Sequence, residues 1–201
     1  MEAVRGSGTE SRNLNMKGKH MNQTRGRVMM VVAAMAAVLT LVGCGGAKRL
    51  GRYDLVVTAD PSLRDGGTGR LPLVEVDLIG VAESDLGNWG AQGVDQHFSG
   101  ENAVRNDAKS YTHTVTFSQD DAGAKVLKAG DPIWQTWQKR GVTHLYVFGS
   151  ARTFRNTPGG PDRRKMSIPL TTDKWESGTR QIDIVLKGSG VDCATAQKVM
   201  K

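Results

Sequence analysis

Little in this chain announces a chemistry. Two cysteines, Cys44 and Cys193, provide no disulfide framework, so the fold has to rest on a buried core. No GxGxxG follows a strand-like run, and there is neither a phosphate-cradling P-loop nor a GxSxG nucleophile elbow. Beyond residue 43 there are three histidines, His97, His113 and His144, and none has a second ligand at a spacing that suits zinc. Asp120 and Asp121 are adjacent, whereas a glycosidase needs carboxyls on opposite sides of a bond. Nothing repeats internally. These absences argue against an enzyme, a metal site or a cofactor.

The excess of basic residues is also less than it looks. The chain carries 27 Lys and Arg against 20 Asp and Glu, a formal charge of +7. Residues 1–43 hold six of those bases and two of the acids, which leaves +3 on the remaining 158 residues. That balance is no nucleic-acid signature, which needs a basic face on a folded domain.

What is present begins at the front. Residues 28–42 are fifteen apolar or small positions without a charge, preceded by Lys17, Lys19, Arg25 and Arg27. A membrane-spanning helix needs about 20 such residues. A run of this length behind a positive segment describes a secretory signal. Met16 and Met21 are plausible alternative starts. The run ends on Leu41, Val42, Gly43 and Cys44, which resembles the lipobox of bacterial lipoproteins. That resemblance implies cleavage before Cys44, diacylglycerol on its thiol and an acyl chain such as palmitate on its new amino group. Two or more chains anchor a protein stably where one does not. The expected organisation is a signal at 1–43, a tether at 44–52 and one domain at 53–201, a length that buries about 70% of its unfolded surface.

Alternation dominates the domain. Residues 53–59, 73–81, 110–118, 142–150, 165–170 and 180–188 read as strands, six in all. In the second, Val74, Val76 and Leu78 face inward and Glu75 and Asp77 outward. Residues 131–141 read as a helix: Asp131 caps it, Pro132 suits its first turn, and Gly141 can take a left-handed stop. Ile133, Trp134 and Trp137 would share its buried face. A short helix over residues 82–89 followed by a loop, and an irregular or helical tail from Val191, complete the reading. With no βαβ alternation, the expected fold is mainly β, an antiparallel β-sandwich with small helical insertions.

Two loops are candidate surfaces. Residues 151–166 hold Arg152, Arg155, Arg163, Arg164 and Lys165 with Phe154 among them, a basic surface for an acidic partner or a lipid headgroup. Residues 60–72 form a long connection between two strands, and long loops on rigid β scaffolds carry binding. A further reading is a lipid-anchored periplasmic ligand- or glycan-binding sandwich, in which Trp89, Trp134, Trp137 and Trp175 stack on sugars if they are exposed.

From Cys44 onward the order is a lipobox cysteine, a short tether, a first strand, and then "SLRDGGTGRLPLVEVDL" at residues 62–78. This is similar to the outer-membrane lipoprotein of the bacterial type VI secretion system. Members show Leu-Asn-Pro-Asp, a few residues, Gly-Arg-Pro and a strand of alternating valines. Leu63, Asp65, Gly69, Arg70, Pro72, Val74 and Val76 follow that shape, while Arg64 stands where the family has Asn and the first proline is absent. The later "HLYVFGSARTF" and "RRKMSIPL" also resemble the family's late pair of strands. The resemblance implies a transthyretin-like sandwich and a non-enzymatic role. It implies a lipid anchor at Cys44 in the outer membrane, facing the periplasm, since Gly45 is not the Asp that marks inner-membrane retention. The first inter-strand loop, with Leu63, Arg64, Asp65, Gly69 and Arg70, would hold the periplasmic region of a large inner-membrane secretion protein.

Overall fold

A computed structural model describes residues 48–121, 123–154 and 160–199. The apolar run, Leu41, Val42, Gly43, Cys44 and Arg155 lie outside the described residues. Backbone pairing starts at Arg49, earlier than the alternation that begins at Tyr53. Thr172 N–H donates to Arg49 O, Leu50 bridges Thr171, and Gly51 N–H donates to Leu170 O. These three residues extend a strand end without any period of their own, so their pattern is silent.

All six expected strands form: β1 (Asp54–Ala59), β2 (Val74–Ala82), β3 (Thr112–Phe117), β5 (Val142–Ala151), β6 (Lys165–Pro169) and β7 (Gln181–Lys187). Two more join them, β4 (Lys125–Leu127) and β8 (Gly190–Cys193). The tail after Val191 is therefore strand at its start. A two-residue turn, Gly188-Ser189, folds it back onto β7, and Gly190 takes φ +141. One sheet has the order β3-β2-β5-β6 and is antiparallel throughout; the other has the order β4-β1-β7-β8. In the second sheet β1 and β7 run parallel, from Asp54 opposite Gln181 to Ala59 opposite Leu186. The antiparallel expectation is corrected there. Parallel partners need a long connection, so sequence proximity cannot reveal them.

The core lies between the sheets. Leu55, Val57, Val74, Val76, Leu78, Phe117, Leu145, Val147, Ile168, Ile182, Ile184 and Leu186 are fully buried. Each such side chain contributes about 1.5–3 kcal/mol by leaving water. Helix α4 (Ile133–Lys139) closes one end. Asp131 Oδ1 accepts Ile133 N–H at 2.9 Å, and Gly141 ends the helix at φ +66. Trp134 and Trp137 are buried completely, their indole N–H groups donating to Lys128 O and Tyr111 O. Tyr53 lies edge-on to Trp134 and tilted against Trp175. Ile133 shares their side of the helix but is only half-buried. Trp89 and Trp175 are buried too, so all four tryptophans are core and the sugar-stacking platform does not exist.

The largest departure lies between β2 and β3. Residues 83–111 form three short helices, α1 (Leu86–Ala91), α2 (Val94–His97) and α3 (Ala103–Ala108), where one helix and a loop were expected. A second cluster of Ile79, Val81, Trp89, Val94, Ala108 and Phe148 lies beneath them. The insertion covers the outer face of β2, so Asp77 is fully buried rather than solvated. Helices this short are not stable alone and show little period, so their presence depends on the sheet under them.

Gly80 tests the packing. A β-carbon there would stand 2.4 Å from Trp137 Cδ1. Gly80→Ala is expected to destabilise the fold by about 1–3 kcal/mol through overpacking, read as a lower urea midpoint at an unchanged slope.

Candidate functional site

The connection from β1 to β2 is folded, not slack. Asp60 accepts Ser62 N–H at 2.8 Å and starts a single 3-10 turn, Pro61–Leu63. Asp65 Oδ1 then accepts the N–H groups of Gly67 and Thr68, both at 2.9 Å, and the Thr68 hydroxyl at 3.3 Å. Those donors hold the Asp65 carboxyl below its ordinary pKa. Gly69 closes the turn at φ +67, its N–H donating to Asp65 O at 2.7 Å, and Asp65 N–H donates to Arg70 O. Only glycine takes that backbone without strain.

The side chains divide. Leu63 and Leu71 are buried and root the loop in the core, so Leu63 is an anchor and not a contact residue. Arg64, Asp65, Gly69 and Arg70 are exposed together. Arg64 donates to Gly69 O at 3.2 Å and Arg70 to Gln119 Oε1 at 3.4 Å, which sets both guanidinium groups without neutralising either. Leu73, just beyond, is 68% exposed. Asp60 N–H donates to Leu186 O, while at the other end of the same strand pair Asp54 N–H donates to Arg180 O. The six residues of β1 span about 20 Å. The loop thus stands at the far pole from the point where the chain enters the domain.

Two of the basic-loop residues, Arg164 and Lys165, are spent on structure. Arg164 grips Asp95 with two bonds, at 2.6 and 2.9 Å, and Asp162 with two more. Lys165 donates to Gly90 O and Gln92 O, both at 2.6 Å. These two residues pin the helical insertion to β6. Phe154 packs over Gly149. Among the described residues of the expected basic surface, Arg152 and Arg163 remain exposed.

An ionic cluster that sequence reasoning missed sits under the insertion. Asn102 caps α3, accepting Arg105 N–H at 2.8 Å, and donates to Gln96 O, which ties α3 to α2. Arg105 then reaches down to Asp77 at 2.7 Å and to Glu75, passing over the Phe98 ring. His97 Nε2 donates to Asp77 Oδ2 at 2.9 Å and Thr114 donates to Oδ1 at 2.6 Å. Burial pushes the Asp77 carboxyl up, but the bonds from His97, Arg105 and Thr114 prevail and bring it to about 2. His97 stacks on Phe148, and its Nδ1 makes no hydrogen bond. Among the described residues no hydroxyl or thiol is bonded to that nitrogen. The His97–Asp77 pair is a pin for the insertion. The outward alternation of Glu75 and Asp77 was the available signal, but nothing local marks Arg105 as their partner.

His113 and His144 lie on opposite sides of β2, against Leu78 and Val81, and share no bond. The Cys193 thiol is half-buried beside Thr195 O, and burial raises its pKa.

Because the folded Asp77 pKa is lowered, its contribution is complete above the unfolded value near 4 and is lost as pH falls toward 2. Asp77→Asn is expected to remove that acid dependence and to cost about 3–5 kcal/mol at neutral pH, as when one partner of a buried pair is removed. Urea midpoints of both proteins across pH 2–7 check this.

No family model and no curated protein matches this chain. Solved structures do. A chain of a type VI membrane complex is 13% identical, covers 72% of this chain and 98% of its own length, and superposes with a TM-score of 0.50. Lip of Serratia marcescens, a membrane-bound component of the type VI secretion system, is 14% identical over 71% of this chain and 96% of its own, with a TM-score of 0.45. The type VI lipoprotein TssJ1 of Pseudomonas aeruginosa is 10% identical over 76% and 100%, with a TM-score of 0.43. At these identities the likeness is one of fold, and the first comparison carries it: the sandwich with its small helical additions is a fold that a type VI membrane complex uses.

Proposed function

We propose that this chain is a divergent member of the type VI secretion lipoprotein family. It is a non-enzymatic anchor, fixed by acylated Cys44 in the outer membrane and facing the periplasm. Its partner is the periplasmic region of a large inner-membrane secretion protein. The observation that carries the reading is the pre-folded loop with exposed Arg64, Asp65, Gly69 and Arg70, at the pole away from the chain's entry. The shared sandwich fold and the lipobox-like end of the apolar run support it. A loop ordered by its own hydrogen bonds loses little entropy on docking. Its charged pair and neighbouring Leu73 suit a partner surface with one acidic and one apolar element.

Two outcomes test this. Cys44→Ser is expected to abolish incorporation of labelled palmitate and to remove the protein from the outer-membrane fraction; unchanged outer-membrane recovery would exclude the anchor. Crosslinking in native envelopes, with the full-length chain as bait, is expected to capture a large inner-membrane protein. Arg64→Ala combined with Arg70→Ala is expected to cut that capture at least tenfold, about 1.4 kcal/mol, with thermal stability retained because both side chains are solvated. Capture that ignores the loop change would place the partner elsewhere.

A further inference from the structure

The pole opposite the loop has chemistry of its own. The entering chain, the segment between β6 and β7, and the C-terminal tail meet there. Trp175 bridges Gln197, Lys198 N–H donates to Lys174 O, and Thr179 N–H donates to Glu176 O. Between them lies an open groove of about 410 Å³ lined by Arg52, Tyr53, Trp175, Glu176, Thr179 and Lys198. Its wall is tight: a β-carbon on Gly51 would lie 2.2 Å from Tyr53 Oη, so the backbone runs directly over that hydroxyl. Gly178 turns the opposite rim at φ +90.

Cations gather around it. Arg52 and Lys198 line the groove and are exposed, and Lys48, Arg49, Lys174 and Arg180 belong to the same three segments. The acids are fewer: Glu176 lines the groove, Asp173 sits near Lys174, and Glu83 pairs with Lys48 at 3.0 Å. The three segments thus carry six bases and two acids, while at their border Glu83 pairs with Lys48 and Asp54 with Lys128. None of these cations belongs to the basic loop that the sequence singled out, and the folded loop 60–72 takes no part.

We propose that this pole is a docking surface for anionic phospholipid headgroups of the bilayer that holds Cys44. The inference rests on the acylation of Cys44 proposed above. Lys48 is only four residues beyond Cys44, and four residues reach at most about 14 Å. The cationic pole is thus held within roughly one to two screening lengths of the headgroups, about 8–10 Å each at moderate salt. The complementary charge is a phosphate layer, and the groove offers it the cations Arg52 and Lys198 and the hydroxyl residues Thr172, Ser177 and Thr179, against one carboxylate, Glu176. The acyl chains already supply anchorage, so the basic pole adds orientation. It seats one end of the sandwich on the membrane and leaves the loop, about 20 Å away along β1, pointing to the opposite side of the periplasm.

The test uses the full-length lipoprotein extracted from membranes and reconstituted in vesicles of phosphatidylcholine, alone or with one-third phosphatidylglycerol. Lysine acetylation is followed by mass spectrometry, with Lys187 at the loop pole as internal reference. Lys48 and Lys198 are expected to react about fivefold more slowly on the anionic vesicles, with Lys187 unchanged. High salt, which cuts the screening length to about 3 Å, is expected to erase the difference. Arg49→Glu combined with Arg52→Glu restores fast Lys198 labelling while the protein stays in the vesicles. Equal Lys198 rates on the two vesicles would overturn the docking surface, as would equal slowing by free glycerol phosphate without vesicles, which would make the groove a soluble-anion site. The same spectra report the Cys44 peptide: an unacylated Cys44 overturns the lipoprotein reading and the docking surface together, whereas acylated Cys44 with equal rates overturns docking alone.

Discussion

The parallel pairing of β1 with β7 sets the geometry on which everything else depends. Its register, Asp54 opposite Gln181 through Ala59 opposite Leu186, joins the first described strand to the next-to-last described one. It also gives the domain a direction. The start of β1 lies with Arg180, the tail and the entering segment, and the end of β1 lies with Leu186, Gly188 and the loop. Ser62 accepts Gly188 N–H at 3.1 Å, and a β-carbon on Gly188 would stand 2.9 Å from Ser62 O, so the loop base and the β7–β8 turn are in direct contact. The proposed anchor and the proposed docking loop would stand at opposite poles as a consequence of strand direction.

The helical insertion follows a different logic. Its small apolar cluster, with Trp89, Val94 and Phe148, is supplemented by polar pins on three sides: Arg105 and His97 on Asp77, Arg164 on Asp95, and Lys165 on two carbonyls of the α1 end. The Asp77 pin costs the hydration of a fully buried carboxylate, whereas Asp95 keeps most of its own. The pins account for Arg164 and Lys165, whose charges are bound within the domain rather than offered to solvent. A basic stretch in a sequence is a surface only if the fold leaves its charges unspent.

Strand identity was legible wherever alternation ran for five residues or more, as in Val74, Val76 and Leu78 or Ile182, Ile184 and Leu186. Strands β4 and β8, of three and four residues, were not, because a period of two cannot declare itself over so short a span. The loop of residues 60–72 was recognisable as a connection and as a family-like stretch. Its internal order around Asp65 and the inward turn of Leu63 were not, since both depend on hydrogen bonds and burial that no spacing encodes.

The sequence by itself determined the mainly β class of the fold, and it carried the expectation of a leader-like apolar run ending on Cys44. It could do so because those signals are local, carried by composition and by the alternation of side chains along one strand. Only the tertiary structure decided that β1 runs parallel to β7, that Asp77 is buried beneath three helices, that the tryptophans are core, and that Arg52 and Lys198 share a groove. Each of those depends on residues tens to more than a hundred positions apart, and their meeting is set by which apolar faces bury one another, a property of the whole chain.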